Sequence, residues 1–98
     1  MNNEMQIIIR KVRLMKKKDG SSINTIVSYS TGYSESNNER GENLVDSWFE
    51  GSKVFEALTK EYINVPLSAT YELIERYDGT LRRQLKDIFD EDGCTILN

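Results

Sequence analysis

Hydrophobic and polar positions alternate along residues 6–15, "QIIIRKVRLM", which are also dense in β-branched side chains. Ile8, Val12 and Leu14 share one side, while Ile7, Ile9, Lys11 and Arg13 share the other. A period of two is that of a β-strand. "SINTIVSYS" repeats the pattern, with Ile23, Thr25, Val27 and Tyr29 on one face. Asp19-Gly20 lies between the two runs and predicts a hairpin, because glycine adopts the positive φ of such turns without steric cost.

Residues 31–43, "TGYSESNNERGEN", lack apolar periodicity and are rich in Ser, Asn, Gly and Glu, so they read as a long mobile loop. "LVDSWFE" then reads as a short strand, in which Trp48 and Phe49 point to opposite faces, one toward the core and one outward as an anchor. After Gly51, Ser52 is placed to cap a helix whose apolar stripe is Val54, Phe55, Leu58 and Tyr62. Glu56 and Lys60 would pair at i,i+4 on its opposite face. Pro66 ends the helix at or before Val65.

A second hairpin spans residues 67–89. Ala69, Tyr71, Leu73 and Tyr77 share one parity, as do Leu81, Leu85 and Phe89. A three-residue turn with Gly79 in the left-handed region brings the two sets onto one face. The tail "DEDGCTILN" either adds an edge strand or frays. The predicted fold class is therefore α+β: a single domain over 1–98, with an antiparallel sheet of four to five strands from two hairpins and one helix packed on a face, in the order β-β-(β)-α-β-β.

Composition removes most chemistry. The chain has no histidine, hence neither the commonest general base nor the commonest metal ligand. Cys94 is the single cysteine, so no internal disulfide and no cysteine zinc cluster is available. "DEDG" lacks the alternating oxygen ligands of a calcium loop. No phosphate-cradling glycine loop or nucleophile elbow occurs. A non-catalytic protein without cofactor or metal is expected. The opening "MNNEMQIIIRKVRLMKKK" places its basic residues after a short apolar stretch, the reverse of a secretory signal, so a cytoplasmic location is expected.

Charge divides along the chain. Residues 1–20 hold six Lys/Arg against two acids, and the remainder holds seven against fourteen. Two candidate surfaces follow. The first is acidic: Glu39, Glu42, Asp46 and Glu50 around Trp48, suited to docking on a basic groove of a partner protein. The second is basic: Lys11 and Arg13 would join Arg82 and Lys86 in one stripe if the first and last strands were neighbours. With a tyrosine beside it, that stripe would suit single-stranded nucleic acid.

The acidic segments "ESNNERGEN" and "DIFDEDG", in a small acidic chain without histidine, resemble the small anti-CRISPR proteins of phages and mobile elements. The resemblance is one of kind, rests on no shared motif and carries no functional residue over. It implies an inhibitor or accessory factor of a nucleic-acid-handling protein, such as an RNA-guided nuclease with a basic channel. The alternative is a single-stranded DNA-binding accessory protein of a mobile element.

Overall fold

A computed structural model describes residues 3–97, apart from the side chain of Ser34. Five strands form one antiparallel sheet: β1 (Asn3–Lys16), β2 (Ile23–Glu35), β3 (Arg40–Glu50), β4 (Pro66–Glu75) and β5 (Leu81–Phe89), in the order β3-β2-β1-β4-β5. The antiparallel sheet is as the alternation predicts. The helical content is smaller: α1 covers only Lys53–Ala57, followed by one 3-10 turn over Lys60–Tyr62. The molecule is mostly β.

The helix stops short because the Thr59 amide bonds the Ala57 carbonyl and the chain re-enters a 3-10 turn. Ser52 sits at the N-cap position without a side-chain cap bond, and the Glu56/Lys60 pair spans no continuous helix. Of the predicted stripe, Leu58 is buried, and Val54 and Tyr62 pack against the core, whereas Phe55 is exposed. Successive helical residues lie about 100° apart, so Phe55 turns away from the face that Val54 and Leu58 present to the core.

Residues 31–43 are not a loop. β2 continues to Glu35 and β3 begins at Arg40, with the Ser36 amide bonding the Glu39 carbonyl across the turn. The backbone pairing of two long strands forms this polar hairpin without an apolar stripe, which is why periodicity missed it.

Bulges decide which side chains face inward. At Arg10 the β1–β2 register shifts, so Ile7 and Ile9 join Val12 on the inner face and Ile8 does not. A second shift, between Leu85 and Asp87 opposite β4, places Ile88 rather than Phe89 inside. The core comprises Ile7, Ile9, Val27, Tyr29, Leu58, Leu67, Ala69, Leu85 and Ile88. Simple parity cannot see an inserted residue.

The Asp-Gly turns form as expected, with φ of 74° at Gly20 and 86° at Gly79. Arg76 and Thr80 close a three-residue turn, with the Arg76 amide 2.7 Å from the Thr80 carbonyl. The tail repeats it: the Asp90 amide bonds the Cys94 carbonyl and the Gly93 amide bonds the Asp90 carbonyl. This third Asp-Gly turn lays Thr95 against Phe89, and the Ile96 amide bonds the Ile88 carbonyl.

The sheet curls until its outer strands touch. Leu85 of β5 donates its backbone amide to the Ser47 hydroxyl of β3 at 3.3 Å, and the Gln84 side-chain Nε2 donates to the Trp48 backbone carbonyl at 2.8 Å. Side chains thus close the seam.

Candidate functional site

The outer face of β1, β2 and β3 carries most of the residues singled out above. Cross-strand register sets three rows: Met15, Asn24 and Glu50; Arg13, Ile26 and Trp48; Lys11, Ser28 and Asp46. Leu44 and Glu42 continue the β3 parity. The strand period therefore gathers Glu42, Asp46, Trp48 and Glu50 on one face, whereas Glu39 lies outside β3 in the turn before it.

This face is not a bare acidic patch. Arg10 pairs with Glu42 and also donates to the side-chain Oδ1 of Asn64 at 2.9 Å. Arg13 lies 4.0 Å from Asp46, whose other oxygen accepts from Ser28 Oγ at 2.6 Å. The register sets Arg13 and Asp46 on a diagonal, opposite Ile26 and Ser28 of β2, and Arg10 projects from the bulge between Ile9 and Lys11. Glu50 enters no ion pair among the described residues.

Trp48 is 43% exposed, while its neighbour Phe49 turns inward against the core. Trp48 stands opposite Ile26, which is fully buried although it belongs to the outer face. A shallow groove of about 150 Å³ is lined by Met15, Lys16, Lys17, Ser22, Asn24 and Trp48. Trp48, expected at the centre of the acidic surface, thus lines one groove with Lys16 and Lys17 of the basic first hairpin. Their joining depends on the β1–β2–β3 register, and no local pattern encodes it.

The expected stripe of Lys11, Arg13, Arg82 and Lys86 does not form through strand adjacency. β4 lies between β1 and β5, and β1 pairs with β4 only over residues 3–8. Lys86 is held 3.0 Å from Glu72. Arg82 shares a face of β5 with Gln84, opposite Ile74 of β4.

A larger hollow, of about 440 Å³, lies along the β2–β3 turn and is lined by polar residues such as Ser36, Asn38 and Asn43. It is the open flank of a hairpin and brings no reactive groups together. Among the described residues no group of three or more His, Cys, Asp or Glu is placed to hold a metal ion, and no helix is long and apolar enough to cross a membrane. No protein family, curated protein or solved structure matches the chain.

Proposed function

We propose that the protein is a non-catalytic binding protein that takes single-stranded nucleic acid across the outer face of β1, β2 and β3. The observation that carries this reading is the setting of Trp48. A half-exposed indole has Lys16 and Lys17 along its groove and Arg13 in its own row. Cations along the strand's path meet phosphates while the aromatic face stacks on a base, an arrangement worth about 1–3 kcal/mol per base. Asn24, in the same groove, offers amide donors and an acceptor to a base edge. Such a module suits an accessory protein that meets single strands in the cytoplasm, as a mobile element would use.

An electrophoretic shift with single-stranded DNA across a salt series tests the reading. Affinity should fall steeply with salt and be lost in Lys16→Glu with Lys17→Glu. Retention of affinity in that double variant would refute it.

The second reading is an inhibitor or accessory factor docking on the basic surface of a larger protein, such as an RNA-guided nuclease, with Glu39, Glu42, Asp46 and Glu50 around Trp48. Leu44, 59% exposed on the same strand, favours a protein contact. Against it stands the internal neutralisation of Glu42 by Arg10 and of Asp46 by Arg13. On this second reading, Glu42→Lys with Asp46→Lys removes partner binding and leaves the melting temperature unchanged. The pairs observed here predict that the double reversal lowers it, because each lysine would face an arginine.

A further inference from the structure

We propose that the free edge of β5 receives an extended, acidic and apolar peptide from a partner protein as an added strand. The inference is independent of the Trp48 face and starts from backbone polar groups. In β5 the Leu85 amide points away from β4, toward Ser47. Strand alternation then turns the amides and carbonyls of Leu81 and Arg83 the same way. The Arg76–Thr80 bond at the turn agrees, since it places Thr80, and with it Arg82 and Gln84, toward β4. Among the described residues nothing bonds the outward groups of Leu81 and Arg83. The tail covers β5 only near Ile88 and Phe89.

This open edge belongs to a projecting ribbon. β1 pairs with β4 up to Asn3 opposite Tyr71, so residues 72–84 continue as two strands and a turn. Such ribbons are marginal without a third strand or a covered face. One face carries Leu73 and Leu81, which are 54% and 62% exposed. At its base Arg83 lies over the Tyr71 ring, 5.2 Å from its centre.

Charge chooses the occupant. Among the described residues Arg82 and Arg83, at the open edge, have no carboxylate partner. Basic residues on an edge normally repel other strands, but they attract an acidic one. A strand laid along β5 would set alternate residues beside Leu81 and Arg83, the latter folded over Tyr71, on one face and beside Arg82 on the other. Apolar residues suit the first set and Asp or Glu the second. A second strand from this same chain is less suited: antiparallel self-pairing about Arg82 would put two arginines directly opposite. The β3 edge carries Glu50 and the ion-paired Glu42 and Asp46 in place of such arginines, and suits the same peptide less.

The probe is an acetylated, amidated octapeptide of alternating valine and aspartate, followed by amide NMR on the full chain. The expected result is slowed hydrogen exchange at Leu81 and Arg83, with half-saturation at or below about 1 mM. A valine–lysine octapeptide should do nothing. Leu81→Pro removes one outward N–H at the first residue of β5, where proline is tolerated, and should weaken binding at least tenfold. Leu81→Ala keeps that N–H and should retain more of the affinity. If neither amide responds to the acidic peptide, or if the lysine peptide acts equally, the proposal is wrong. Equal binding by Leu81→Pro and Leu81→Ala also overturns it, as does protection that grows with protein concentration alone, which would mark self-association.

Discussion

The backbone amide of Leu85 donates to the hydroxyl of Ser47 across 3.3 Å, joining the two outer strands of the sheet. Both residues are buried, and the contact lets the five-stranded sheet close on its core without a backbone ladder between β3 and β5. Ser47→Ala should leave the Leu85 amide unpaired in the interior and cost about 1–3 kcal/mol. Ser28→Ala, which removes an exposed bond to Asp46, should cost within about 0.5 kcal/mol. Equal losses in urea melts would mean that the seam contributes nothing.

Leu58 anchors the short helical segment, only 4% exposed although α1 has already ended. Leu58→Ala should cost about 2–5 kcal/mol through lost burial and a residual cavity. Lys60→Ala should be close to neutral. Denaturant midpoints that move equally for both would show that this segment does not pack on the sheet.

How much of this was legible beforehand follows from what each signal measures. Alternation located β1, β2 and most of β4, and the Asp-Gly pairs marked both turns, because these depend on residues adjacent in sequence. The bulge at Arg10 reversed the expected faces of Ile8 and Ile9, and the shift near Lys86 replaced Phe89 by Ile88, since one inserted residue inverts every later position. The 31–43 hairpin escaped notice because its polar strands pair through the backbone. Within the site, the common face of Asp46, Trp48 and Glu50 followed from the period of β3. Its pairing with Arg10 and Arg13 required knowing that β2 lies between.

Gly79 has φ of 86°, a region closed to β-branched residues. Gly79→Val should lower the melting temperature well beyond Gly79→Asn, which tolerates left-handed backbone. Indistinguishable melts would remove the argument from turn geometry.

Stability should respond to pH at both ends. Hydrogen bonds from Ser21 and from Thr80 hold the Asp19 and Asp78 carboxyls below their ordinary range. Their contribution is present above the unfolded carboxyl pKa and is lost as pH falls through the lower folded values. Tyr29 behaves oppositely. Burial raises its pKa, with the Ser47 hydroxyl and the Arg83 charge as lesser opposing influences, so its neutral form stabilises the fold below about pH 10 and stability is lost as pH rises toward the raised value. Its hydroxyl is buried and unpaired, with Ser47 Oγ beside it but engaged by Leu85. Tyr29→Phe should therefore be neutral or stabilising at pH 7 and should decline less between pH 10 and 11. A steeper alkaline loss in Tyr29→Phe would contradict the assignment.

Glu50 is the one carboxylate in the rows around Trp48 without a cation beside it in an ion pair. If phosphates follow Lys16 and Lys17, Glu50→Gln should raise affinity for single-stranded DNA severalfold at low salt, and the gain should shrink as salt screens it. A fall in affinity, measured by the same electrophoretic shift, would place Glu50 in a contact with the partner.

The most direct measurement uses the fluorescence of Trp48, the single tryptophan of the chain, during titration with single-stranded oligonucleotides across a salt series. A base stacked on the indole should quench its emission saturably. With about three phosphates contacted, log affinity against log salt should fall with a slope of about −2. Lys16→Glu with Lys17→Glu should abolish the quenching while the thermal melt stays cooperative. Unchanged emission at saturating oligonucleotide in low salt would contradict a nucleic-acid face at Trp48.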